Sequence, residues 1–248
     1  LLLSSALACS GCVFLLRLLY GRRRVRLGVR KHRWAARVLH GLVFVIGAIV
    51  LVFLVLLLTG QSEIRRVNFR AVLSGPFLLS LLMFISVGFG EELMSRGFFM
   101  SALKTTRNKI VIIVGPALLF SLMHAANPNV TFLSLANIFL IGIAFAYMFI
   151  RSGSLWMPIG FHITWNFFQG NILGMNVSGI ETVSVVETTF TGSPLLTGGD
   201  FGAEGGLVVT MVALLCILYT RLAVRPPAEP EWTLESGLPL RRENLHGL

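Results

Sequence analysis

Residues 71–103, AVLSGPFLLSLLMFISVGFGEELMSRGFFMSAL, form an apolar run with three charges set inside it, Glu91, Glu92 and Arg96. A helix that crosses a bilayer needs about 20 apolar residues, so this run is long enough to span and too long to do so straight. Gly88 and Gly90 mark the expected break, just ahead of the two carboxylates. A charge near the centre of a bilayer costs about 2.5–3.5 kcal/mol even on the mildest insertion scales, so three of them require an explanation.

The rest of the chain has the same character. Of 248 residues, 55% are hydrophobic and 13% charged, and the mean hydropathy is +0.80. Soluble domains carry roughly 25% charge, so a soluble globular fold is excluded. Further apolar runs cover residues 1–20, 38–59, 110–126, 133–150, 155–172 and 205–223. The expected fold is all-α: a polytopic transmembrane helical bundle of about seven spans with a polar site inside it. Residues 1–224 make this one bundle, with its core at about 71–172. Residues 225–248, with Pro226, Pro227, Pro230 and Pro239, are expected to be a tail with little structure.

The formal charge of +10 does not point to nucleic acid, because Arg17, Arg22, Arg23, Arg24, Arg26, Arg30, Lys31, Arg33 and Arg37 crowd between two apolar runs and no acid precedes Glu63. Such a cluster is the positive-inside signal and a contact for anionic lipid headgroups. It sets the 21–37 loop and the C-terminal tail in the cytoplasm, and Lys104, Arg107, Lys109, Arg151, Arg221 and Arg225 fall on the same side. The opposite side receives 173–204, with Glu181, Glu187, Asp200 and Glu204 and no Lys or Arg. Arg65, Arg66 and Arg70 resist this pattern. Either they lie on a short amphipathic helix in the interface, or one crossing is miscounted. The chain begins at Leu1 with its first apolar run ahead of the basic cluster, the reverse of a secretory signal, and the run is read as a first span. Cys9 and Cys12 form a lone C-x-x-C without a second pair, and with Cys216 they are read as lipid-facing or packing residues.

Glu92 and Arg96 stand four apart, the spacing at which opposite charges meet on one helix face, and are read as a structural ion pair. Glu91 is left over on a face rotated by about 100°. A carboxylate without a partner in an apolar setting is suited to general-base work. His124 ends an apolar run just before Asn127-Pro128, where a lone His is more often a packing residue. His162 and Asn166 stand at i, i+4 and face one groove, which a structural hydrogen bond between helices explains equally well. Three spans that each carry a costly polar group nevertheless read as one inward-facing site. Counting along the spans sets Glu91 nearer the cytoplasmic end than His124, so the site requires tilt, a break or shifted ends to close.

Glu91-Glu92-x-x-x-Arg96, Phe120-x-x-x-His124 and His162-x-x-x-Asn166, in that order, resemble the three motifs of the CPBP intramembrane protease family, also described as CAAX prenyl protease 2-like or Abi. The approach Gly153-Ser154-Leu155-Trp156-x-Pro158-Ile159 is similar as well, and Asn rather than Asp stands at 166. The resemblance implies an integral membrane protein of the bacterial plasma membrane, an endopeptidase that cuts a membrane-associated or prenylated CAAX-type peptide. In it Glu91 would activate a water, His124 would position that water, His162 and Asn166 would form an oxyanion hole, and Glu92 and Arg96 would orient Glu91. No cofactor is certain. A divalent metal such as zinc on Glu91, His124 and His162, with water as fourth ligand, is the other implied form. A non-catalytic member of the family, an immunity or scaffold protein, is the main rival, and a proton-relaying transporter a second.

Overall fold

In the computed structural model the described residues are 34–226 together with 27–29, Gly11, Phe14, Leu18 and Ala228. Nearly all of the expected first span at 1–20, including Cys9 and Cys12, most of the basic cluster and nearly all of the tail lie outside them. The chain is mostly helical, at 72%.

Six apolar helices carry the described part: α1 (Trp34–Leu58), α2 (Gly75–Thr106), α3 (Lys109–Met123), α4 (Phe132–Ser152), α5 (Trp156–Phe167) and α6 (Leu207–Ala223). Among them α1, α2 and α4 are long and apolar enough to cross a membrane, whereas α3 and α6 are shorter. Their ends are written locally. The Ser74 hydroxyl caps α2 by accepting from Phe77 N–H, with a proline in the first turn. Arg107 turns the chain in the left-handed region at φ 56°, and the Asn108 side chain then caps α3 at Ile110 and Val111. Thr131 and Ser134 form a reciprocal capping box at the start of α4, and Gly153, at φ 62°, ends it.

Short connections at 107–108, 124–131 and 153–155 reverse the chain between α2, α3, α4 and α5. Helix α1 packs along α5, α3 along α4, and α4 against α6, with α2 laid on α5. One apolar core runs through them, built from Val45, Ile49, Val52 and Leu56 of α1, Phe145 and Met148 of α4, Phe161 and Trp165 of α5, and Val209 and Val212 of α6. The ends of the bundle differ. At one end Leu155 N–H bonds to Gly28 O at 2.9 Å and Arg151 Nε to Val224 O at 2.9 Å. At the other end lie the connections 59–74, 124–131 and 173–206.

Two expectations are corrected here. The fold is not purely α, because β1 (Ser62–Val67) pairs antiparallel with β2 (Val186–Phe190), from Ser62 opposite Phe190 to Val67 opposite Val186. Arg65 and Arg66 belong to that ribbon rather than to an amphipathic helix; Arg65 contacts Glu63 at 2.9 Å and donates to Thr189 Oγ1 at 3.1 Å. Arg70 follows in a single 3₁₀ turn, Phe69–Leu73. The segment leaves and re-enters the bundle at one end. The second correction concerns α2, which has no break at Gly88. It stays α-helical to Glu92 and then widens into a π-helical stretch, Leu93–Phe99, after the carboxylates. Gly88 is glycine for another reason: a Cβ there would lie 2.6 Å from Ile163 Cγ1 and 3.1 Å from the Ile163 backbone N. Its bare backbone lets α2 approach α5 closely.

Candidate active site

Glu91, Glu92 and Arg96 are all buried on α2, and His162 and Asn166 are buried on α5, the helix against which Gly88 seats. His124 is the C-cap of α3 and is half-buried. The turn at Arg107 falls midway in sequence between Glu91 and His124, so the antiparallel pair α2 and α3 brings them level. The mismatch in depth expected from the span boundaries is therefore absent, and Glu91, His124, His162 and Asn166 line one cavity of about 40 Å³. Room for a water takes about 10–15 Å³, so the cavity accommodates two or three.

Hydrogen bonds fix the ring nitrogens. Glu92 Oε1 accepts from Arg96 Nη1 at 2.8 Å and lies 3.1 Å from His162 Nδ1. The carboxylate paired with Arg96 can only accept, so Nδ1 of His162 carries a hydrogen. Its Nε2 then faces Glu91 Oε2 across 3.9 Å, too long for a direct bond and suited to a bridging group. His124 Nδ1 lies 2.8 Å from Phe120 O, and a carbonyl likewise only accepts. Both imidazoles are thus held through Nδ1, which leaves Nε2 for the site.

Arg96 is the largest fully buried side chain in the structure. Besides Glu92 it donates to Gly142 O at 3.2 Å, and its guanidinium sits over Phe120 at 4.4 Å and Phe145 at 5.0 Å. Phe145 also stacks on His162, with ring centroids 5.2 Å apart. Glu92 does more than pair with Arg96, since the same oxygen ties the helix to His162.

Three residues that the sequence reading did not assign to the site also belong to the cavity wall: Glu204, Ser178 and Trp165. Trp165 Nε1 and Glu91 Oε2 are a buried donor and a buried acceptor with no protein partner among the described residues. Glu204 reaches in from the connection between β2 and α6. Its Oε2 accepts from Ser178 N–H at 2.9 Å and Ser178 Oγ at 2.8 Å. Burial pushes the Glu204 carboxyl above the usual carboxylate range, against the opposing pull of the Ser178 bonds and of nearby His124 and His162. A glycine-rich run around an acid, Gly198-Gly199-Asp200-Phe201-Gly202-Ala203-Glu204-Gly205-Gly206, was the available signal.

Among the described residues no three His, Cys, Asp or Glu side chains gather closely enough to share an ion. Glu91, His124 and His162 line one cavity.

No curated protein and no solved structure matches the chain. Three apolar helices long enough to cross a bilayer and a family of membrane proteins agree on an integral membrane protein. Residues 73–168 contain all six motif residues, and this stretch is similar to the Rce1-like family, described as type II CAAX prenyl endopeptidase Rce1-like.

Proposed function

We propose that this protein is an intramembrane endopeptidase in which Glu91 activates a water for attack on a peptide carbonyl of a membrane-associated, lipidated substrate of the CAAX type. The observation that carries this reading is Glu91 Oε2: buried, without a protein donor among the described residues, and across 3.9 Å from His162 Nε2 on the wall of a water-sized cavity. An acceptor in that setting is completed by a water.

Glu91 takes one proton of that water while the lone pair on His124 Nε2 accepts the other hydrogen and aims the oxygen. The hydroxide adds to the carbonyl carbon. Charge gathers on the carbonyl oxygen, where Asn166 Nδ2 and Trp165 Nε1 are the available donors. His162 joins them in its imidazolium form, which has an N–H on each nitrogen: one for Glu92 and one for the oxyanion. Collapse of the adduct then expels the amine, which leaves as a good group only if it gains a proton.

In this reading the chain crosses the membrane about seven times, with the 21–37 loop and the tail cytoplasmic, and lipid and a lipidated peptide are its partners. The test is cleavage of a farnesylated peptide ending in a CAAX sequence by the purified full chain in detergent. His124→Ala and His162→Ala should each lower kcat by about 10²-fold or more with the unfolding midpoint little changed. A wild-type protein that binds the peptide without cutting it contradicts the reading and favours the non-catalytic immunity or scaffold role.

A further inference from the structure

The amine released in that reaction needs a proton, and each motif residue already has another task in this reading: Glu91 takes a proton from water, His124 Nε2 accepts from that water, and His162 directs its two hydrogens to Glu92 and the oxyanion. The remaining carboxyl on the cavity wall is Glu204. It comes from outside the span of the family match, on a connection built to deliver it.

That connection is fixed from three sides. Buried Asn137 of α4 donates through Nδ2 to Glu204 O at 2.8 Å and Gly206 O at 2.9 Å, while its Oδ1 accepts from Thr210 Oγ1 at 2.6 Å. Ser178, in the left-handed region at φ 48°, turns both its N–H and its hydroxyl onto Glu204 Oε2. A non-glycine residue held there marks a position that its surroundings enforce. The glycines allow the fit: Gly202, at φ +102°, has Asn176 O where a Cβ would stand, 1.8 Å away, and Gly206 has Leu196 O at 2.1 Å. A surface loop with no task at the cavity has no need of such a clasp around an acid that ends up buried.

Resting on the protease reading above, we infer that Glu204 is the general acid of the reaction, the group that protonates the leaving nitrogen. With Glu91 ionised and Glu204 protonated, Glu91 accepts a proton from water as the C–O bond forms, and Glu204 gives its proton to nitrogen as the C–N bond breaks. The products are a carboxylic acid and an amine. Transfer of the proton from Glu91 to the Glu204 carboxylate through water restores the starting state, so atoms and charge balance. Two carboxyl groups in one cavity take opposite roles because their environments differ. Burial raises Glu204, as described, and the groups that face it are His124 from α3, His162 from α5 and the Ser178 hydroxyl.

The test compares two scissile bonds, because an amine leaving group needs an acid and a thiolate does not. The full chain in detergent is given the farnesylated peptide and its analogue with a thioester at the scissile position. Glu204→Gln should lower kcat for the amide by about 10²–10³-fold, leave KM within about threefold, and leave thioester cleavage within about threefold of wild type. Equal loss on both bonds makes Glu204 a structural residue, and no loss on either makes it a bystander; each overturns the assignment while the protease reading stands. Should Glu204→Gln fail to fold, Glu204→Asp carries the comparison: it keeps the acid, draws it back by one methylene, and should again lose amide cleavage selectively. A wild-type protein that cuts neither bond overturns the protease reading and this assignment with it.

Discussion

Glu204 offers a thermodynamic test at the scale of one residue. Its folded-state carboxyl is raised by burial, so the folded state holds that proton to higher pH than the unfolded chain, whose glutamates titrate near 4.3. The stability it contributes is complete below that value and is lost as pH rises through the raised, folded-state range. The unfolding midpoint of the solubilised protein should therefore decline as pH increases above the ordinary carboxylate range, and Glu204→Gln should flatten that decline. A Gln variant with the slope of wild type contradicts the placement of Glu204. At this scale the sequence was informative where spacing along one helix suffices: Glu92 with Arg96, and His162 with Asn166. It missed Glu204 and Ser178, which meet across a clasp of two loops with no local period to announce them. The bond from Glu92 to His162 joins two helices, and neither motif alone contains it.

Among the elements, α2 and α5 decide the geometry, and their closeness rests on Gly88. Gly88→Val adds carbon where Ile163 already stands 2.6 Å from the position a Cβ would take. The overpacking should cost about 1–3 kcal/mol. It should also lower kcat, because the residue displaced is the neighbour of His162, and the distance to Glu91 and Glu92 changes with it. A valine variant with wild-type melting and turnover contradicts this account of the glycine. Helices α2 and α5 each widen into a π-helical stretch, Leu93–Phe99 just after Glu91 and Glu92 and Phe168–Ile172 just after Asn166. Such local rewinding is frequent at functional sites. Apolar runs in the sequence located all six described helices, since length and hydropathy are local quantities. The ribbon of β1 and β2 was not found, because Ser62 and Phe190 pair across about half of the chain and short polar strands resemble loops.

Across the whole molecule, the cavity has a side. Asn127, Ser178 and Glu204 on its wall belong to connections at the end of the bundle opposite Arg107, Arg151 and Arg225. In the proposed orientation, with the basic end cytoplasmic, the site would open away from the cytoplasm. Membrane vesicles of defined orientation should therefore cleave an impermeant lipidated peptide supplied at the end that bears the ribbon; cleavage only from the basic end contradicts that orientation. Because the α2 and α3 hairpin turns midway between Glu91 and His124, both residues are set at one depth, and the whole account depends on a water held there by Glu91. The most direct measurement is single-turnover cleavage of the farnesylated peptide by Glu91→Gln beside wild type, with unfolding midpoints measured on the same samples. Loss of about 10³-fold or more at an unchanged midpoint is the expected result, and cleavage by Glu91→Gln within about tenfold of wild type contradicts it.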